Sequence, residues 1–167
     1  MAKGEKLAVL ESVERILNNY LEMNNHRKTP ERFTILRAIY NTEGHFTLDE
    51  LSELLSEKYN FPVSRATLYN TLNLFMKLRL VIRHRFQGTT AYEACYDNAS
   101  HCHQICTICG KVVEVKSSII TDAIDEVHLK RFRKDGFSLY IYGVCSTCQA
   151  KMTRLRRIKK LKTTEKI

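Results

Sequence analysis

No apolar run reaches the length of a membrane span, and the opening Met1-Ala-Lys-Gly-Glu-Lys6 lacks the apolar core of a signal peptide. A soluble, cytoplasmic protein without a membrane partner is therefore expected, in a compartment where thiols stay reduced and can bind metal. There is no internal repeat, P-loop, dinucleotide fingerprint or catalytic triad, so an enzyme is not expected and no small-molecule substrate is implied. Only two prolines occur, Pro30 and Pro62, both where an element starts or breaks. Residues 64–85 contain no acid at all, although they hold Arg65, Lys77, Arg79, Arg83 and Arg85.

What is present is a chain of 167 residues with 44% hydrophobic content, long enough for one large domain or two small ones. Its net charge of +9 is uneven, because residues 150–167 carry eight Lys/Arg against one acid. Such a basic tail, 151–167, either attracts nucleic acid through counterion release or stays solvated and disordered.

Leu7, Leu10, Val13, Ile16, Leu17, Tyr20 and Leu21 recur at helical spacing and predict an extra N-terminal helix over 5–22. After a polar link, Thr29-Pro30 reads as N-cap and N1 of a second helix, buried through Phe33, Leu36, Ile39 and Tyr40. Glu43-Gly44-His45 reads as a turn. Thr47-Leu48-Asp49-Glu50 is a capping box that opens a third helix with Leu51, Leu54 and Leu55 inside. Asn60-Phe61-Pro62 breaks the chain, and Ser64 caps a fourth helix with Leu68, Leu72, Phe75 and Met76 as its inner stripe. Residues 81–86 and 89–93, around Gln87-Gly88, read as a β-hairpin.

Two helices joined by a tight break and followed by a basic hairpin match a winged helix-turn-helix domain over 1–94. Its fourth helix would enter the major groove of double-stranded DNA, with the hairpin along the backbone. The outward face of that helix carries Arg65, Thr67, Tyr69 and Asn70, and the hairpin carries Arg83. Helix–hairpin units also occur in protein-binding modules, but five cations without an acid favour DNA.

Residues 95–100 read as a polar hinge. Beyond it, strands are predicted at 101–106, 111–115 and 137–144, with a helix capped by Ser117 and buried through Ile119, Ile120, Ala123, Ile124 and Val127. The fold class is α+β, with a small α/β domain over 101–150. Both faces of the last strand are apolar, Phe137, Leu139 and Ile141 on one and Tyr140 and Tyr142 on the other. A three-stranded sheet with one helix is too small to cover both, so this half is expected to dimerise.

The strongest chemical signal is the pair of Cys-x-x-Cys motifs, Cys106/Cys109 and Cys145/Cys148, with 35 residues between them. A tight turn lets both thiolates of one pair reach one metal, and two such turns complete a closed S4 site for structural zinc. A redox pair or disulfides are the rival readings. A thiol redox enzyme would need an exposed cysteine of low pKa, usually at a helix N-terminus, whereas Gly110-Lys111-Val112 reads as a turn into a strand. His101 and His103 stand at i, i+2. On a strand they face one side and Cys102 the other, which suggests a second metal site near the first.

Taken together, residues 26–150 resemble the ferric uptake regulator family of metal-sensing bacterial repressors. The resemblance rests on Thr29-x-x-Arg32, Gly44-His45 and Ala66-Thr67-Leu68-Tyr69-x-Thr71-Leu72 in the first half. Phe86-x-Gly88, the run from His101 to Lys111 and Tyr140-x-Tyr142-Gly143-x-Cys145 complete it. It implies a homodimer that binds a pseudo-palindromic operator when metal-loaded. The operator is expected to be AT-rich, with Arg27 or Lys28 reaching a minor groove and Tyr69 contacting thymine methyl groups.

The resemblance also implies a sensory metal held by His45, Glu93, His101, His103 and Glu114. Such an N/O set suits Fe2+, Mn2+ or Zn2+. Family peroxide sensors tend to carry Asp where this chain has Glu93, which leans toward an iron sensor. A zinc uptake regulator or peroxide sensor of the same family is the nearest alternative, and a non-sensing zinc-stabilised DNA-binding module is the alternative of a different class. Two departures stand out. Asn70 occupies a position where Arg is usual in the family. A further family metal site would fall on Ser100, Cys102, a residue near Thr121 and Phe137, mostly poor ligands, so that site is expected to be missing. Cys102 is left as a buried small side chain, a thiol partner for Cys95 or part of a redox response.

Overall fold

The computed structural model describes residues 3–86, 88–95, 101–134 and 136–164, with side chains described at all of these except 3, 101 and 158–164. The chain divides into two compact units, Met1–Asp97 and Asn98–Ile167. The expected hinge at 95–100 falls, apart from Cys95, outside the described residues. Among the described residues no helix is long and apolar enough to cross a membrane.

The first unit runs α1 (Lys3–Met23), α2 (Pro30–Asn41), β1 (His45–Phe46), α3 (Leu48–Glu57), α4 (Arg65–Lys77), β2 (Val81–Phe86) and β3 (Thr89–Ala94). Its helices bury the stripes their spacing predicts. Leu36, Ile39, Leu51, Leu55, Leu68, Leu72 and Phe75 form one core with Val13, Leu17 and Leu21 of α1. The N-terminal helix is thus part of the domain, although Leu7 and Ile16 stay exposed. Arg37 also pairs with Glu14, and Lys77 Nζ donates to the Tyr20 hydroxyl at 2.8 Å, which ties α1 to α2 and α4.

Local chemistry sets the helix starts. The Thr47 N–H donates to Glu50 Oε2 at 2.7 Å and the Glu50 N–H donates back to Thr47 Oγ1 at 3.2 Å, a reciprocal capping box on α3. Ser64 Oγ accepts from the Thr67 N–H at 3.1 Å and caps α4. Thr29 makes no side-chain cap bond, so the start of α2 relies on the fixed φ of Pro30.

His45 is not confined to a turn. His45 and Phe46 form β1, which pairs antiparallel with β3 in the register His45↔Glu93 and Phe46↔Tyr92. The sheet order is β1-β3-β2. The β2–β3 ladder ends at Phe86↔Thr89, and Gly88 has φ 89°, a backbone conformation that favours glycine. The buried Tyr40 hydroxyl lies 2.8 Å from the Leu80 carbonyl and 3.1 Å from that of Cys95, which fixes α2 to the far end of the hairpin.

The second unit runs β4 (His101–Cys106), β5 (Val112–Val115), α5 (Ser118–Asp125), β6 (Ser138–Gly143) and α6 (Ser146–Thr164). β4 is central, antiparallel to β5 and parallel to β6. Its described interior is thin, with Cys102, His103, Ile105, Cys106 and Cys148 buried. The expected inner face of α5 is not covered within the chain: no residue of that helix is buried, and Ile119 is 79% exposed. Val127 lies beyond the end of α5 and is also exposed, as are Ile141 and Tyr142 on β6. The basic segment after residue 150 is not an irregular tail, because α6 carries it on to Thr164.

Candidate metal centres and nucleic-acid face

Cys106 ends β4 and Cys109 sits in the turn that follows, closed by the Gly110 N–H donating to the Cys106 carbonyl at 3.0 Å. Cys145 immediately precedes α6 and Cys148 lies in its first turn. The four sulfurs lie within 4.8 Å of one another, and Cys109 and Cys145 are 3.8 Å apart. A tetrahedral zinc with bonds of about 2.3 Å puts its sulfurs ~3.8 Å apart, so the spacing fits a closed S4 site. All six cysteines are free of disulfides in this structure.

Backbone N–H groups of Cys145, Cys109 and Ile108 hold the Cys106 thiol down at about 6, and the Cys145 N–H lies 3.3 Å from its sulfur. Cys148 is pushed up to about 12, first by hydrogen bonding with Cys145 and then by burial. Crowded sulfurs thus differ widely in acidity, and a divalent cation among them deprotonates a coordinating thiol outright.

The second cluster lies on the wing sheet of the first unit. His45 on β1 is the cross-strand partner of Glu93 on β3, with its Nε2 3.4 Å from Glu93 Oε2. His84 on β2 reaches the same oxygen from the other side, with its Nε2 at 3.0 Å. Donor atoms of the three residues lie within 4.8 Å of one another. Phe86 stacks on the His84 ring at 5.3 Å and meets the His45 ring edge-on at 5.3 Å. Two imidazoles and a carboxylate suit a borderline divalent cation.

Sequence reasoning missed His84, although the signal was present. The hairpin register pairs His84 with Ala91. That puts His84 diagonally across from Glu93, on the same face of the sheet.

In the second unit, His103 is the cross-strand partner of Glu114 on β5 and of Tyr140 on β6. Its ring is buried and stacks on Tyr140 with centroids 5.5 Å apart, whereas Glu114 is exposed. The side chain of His101 lies outside the described residues. Cys102 is buried on this strand, and Cys95 is half-buried at the end of the first unit.

Four of the residues expected to contact DNA lie on α4. Tyr69 is half exposed, Arg65 and Asn70 are exposed, and Thr67 shares its hydroxyl with the Ser64 cap at 2.9 Å. Arg65 pairs with Asp49 at the start of α3. Arg27 and Lys28 lie in the exposed link before α2, where Lys28 pairs with Glu22. Asn70 and Thr67 line an open cleft with Thr29 and Arg32. Arg83 is exposed on β2, across from Tyr92, which burial pushes above the usual tyrosine pKa.

Compared with known proteins, residues 23–142 match the ferric uptake regulator family. The chain is 32% identical over 148 residues to the peroxide-responsive repressor PerR of Staphylococcus aureus, covering 85% of this chain and 97% of that one. Among solved structures it resembles the ferric uptake regulator from Pseudomonas aeruginosa with manganese at 26% identity and TM-score 0.65, covering 77% of this chain and 97% of that one. It also resembles the Vibrio cholerae ferric uptake regulator at 29% identity and TM-score 0.56, covering 77% of this chain and 98% of that one. With the family matched across both units and the S4 cluster formed, the chain belongs to the ferric uptake regulator family.

Proposed function

We propose that this protein is a cytoplasmic, metal-responsive transcriptional repressor that binds a pseudo-palindromic operator as a homodimer. The observation that carries this reading is the pairing of His45 with Glu93 inside the unit that holds the recognition helix. His45 lies two residues before the Thr47 cap of α3, and Glu93 is the last residue but one of the wing strand β3. Holding the two side chains together therefore ties the helix-turn-helix to its wing.

His101, His103 and Glu114 of the second unit complete the proposed sensory set. A divalent ion supplies the positive charge that lets these imidazoles and carboxylates converge. Conformers that suit both half-sites of an operator are favoured in proportion to their higher metal affinity. Arg65, Thr67, Tyr69 and Asn70 are assigned to the major groove, Arg27, Lys28 and Arg83 to the backbone or minor groove. Asn70 can read adenine in a bidentate way, where the family's usual Arg reads guanine or phosphate. The exposed apolar residues of α5 and β6 support a second copy of the chain as the dimer partner.

The preferred sensory metal is Fe2+, because Glu stands at position 93. The likeness to a peroxide-responsive repressor supports a second reading, peroxide sensing. DNA selected from a random pool by the anaerobic protein, with and without added Fe(II), Mn(II) or Zn(II), tests the function. A palindrome enriched only with metal is expected; the same enrichment in chelator would overturn it. Release of that DNA by peroxide only from the iron-loaded form would decide for the second reading.

A further inference from the structure

We propose that His84 is a metal ligand, so that the winged-helix unit by itself carries a three-donor site of His45, His84 and Glu93. The inference rests on the sensory reading of His45 and Glu93 and goes beyond it, because neither the motif nor the family resemblance assigns His84.

Each ligand comes from a different strand. β3 is central, β1 and β2 flank it, and the two histidines reach Glu93 from opposite sides. Both do so through Nε2, and on the same carboxylate oxygen, at 3.4 and 3.0 Å. For metal–ligand bonds of ~2.1 Å, neighbouring donors lie about 3.0 Å apart in an octahedron and about 3.4 Å apart in a tetrahedron. Both separations are short enough for the three donors to share one ion, and the 3.0 Å contact is also a hydrogen-bond distance.

Burial points the same way. Arg83 and Arg85 on either side of His84 face solvent, whereas His84 is 1% exposed. His84 therefore lies on the face of the sheet it shares with Glu93, opposite to that of Arg83 and Arg85. Phe86, two residues on and itself buried, stacks flat on that ring at an interplanar angle of 5°. It also closes one side of the cluster against the His45 ring. This fixes the ring plane, as ligand histidines require.

The consequence concerns metal choice and the order of binding. A third donor lets the DNA-binding unit hold an ion without help from the second unit. An added imidazole favours Zn(II) and Fe(II), whereas Mn(II) prefers oxygen donors.

The test uses the full chain with its S4 zinc retained. Mn(II)-loaded protein is examined by pulsed EPR, which counts coordinated imidazoles, and Co(II), Zn(II) and Mn(II) are titrated. In His84→Phe, which keeps a ring against Phe86, one imidazole should disappear and Co(II) affinity should fall about tenfold or more. Zn(II) affinity should fall further than Mn(II) affinity. An unchanged imidazole count would overturn the assignment and leave His84 as a hydrogen-bonding neighbour of Glu93.

A second protein, His101→Ala/His103→Ala/Glu114→Ala with His84 intact, guards against misfolding of the first. It should keep one weakly held ion with two imidazoles; one imidazole or none would count against the proposal. Metal-dependent DNA binding with an unchanged count in His84→Phe would remove His84 alone. Metal-indifferent DNA binding by the native chain, with two imidazoles in the triple variant, would remove the sensory reading and leave the three-donor site standing.

Discussion

The two units solve the stability problem differently. In the first, four helices contribute fully buried leucines, isoleucines and a phenylalanine to one continuous core. In the second, the described buried positions are few, three of them are cysteines, and α5 buries nothing. Apolar burial at roughly 25 cal/mol per Å2 can stabilise the first unit without help. Among the described residues the second buries far less, so the S4 cluster and a cover for its apolar faces are expected to contribute to its stability. On the proposed reading metal has two separable roles: zinc in the S4 cluster supports the second unit, and a sensory ion acts on the wing sheet of the first.

The largest predicted effect breaks the second unit only. Cys109→Ser should lose the zinc, whose binding in small structural sites contributes about 10–16 kcal/mol to folding. Amide exchange in β4, β5 and β6 should accelerate toward the unfolded rate while the α2, α3 and α4 amides stay protected. Protection that survives zinc loss would show that the second unit has a sufficient core of its own. Next comes Leu72→Ala in the first unit, with an expected loss of about 2–5 kcal/mol in denaturant unfolding and no loss of zinc. Charging the uncovered face, Ile141→Asp, should weaken dimerisation by about 2 kcal/mol or more, read by sedimentation, with zinc content unchanged. A dimer that tolerates that charge would mean that another surface joins the copies. The smallest effect is Thr47→Ala, which removes the bond from the Glu50 N–H to Thr47 Oγ1 and should cost ~1 kcal/mol without altering zinc content.

Much of the first unit is legible in the chain because its signals are local. The capping box of Thr47 and Glu50, the Ser64 cap and the helical spacing of Leu68, Leu72 and Phe75 each lie within a few turns. β1 escapes such reading, since two residues, His45 and Phe46, have no period, and only a partner 48 positions away makes them a strand. His84 was hidden for a related reason: its role depends on the hairpin register, not on spacing within one element. Leu7 and Ile16 fit the helical stripe of α1 but stay exposed.

In the second unit the cysteine spacing declares the zinc site, because ligand geometry demands tight turns whatever the surrounding fold. The apolar spacing around Ile119 and Ile124 is equally plain. It predicts a face that must be covered, but not whether the same chain or another covers it. Residues 151–164 leave two sequence readings open, a nucleic-acid-attracting tail or a solvated, disordered end; Lys and Arg are good helix formers, and α6 continues through them.

One experiment tests most directly whether metal has two separable roles. Protein purified anaerobically is assayed for metal per chain and for binding to its selected DNA, before and after mild chelation, and again after stepwise return of Fe(II), Mn(II) or Zn(II). The expected result is one zinc that resists chelation and a second, exchangeable ion whose removal abolishes DNA binding and whose return restores it. A single zinc, with DNA binding indifferent to every added metal, would contradict it and leave the protein a zinc-stabilised DNA-binding module that senses nothing.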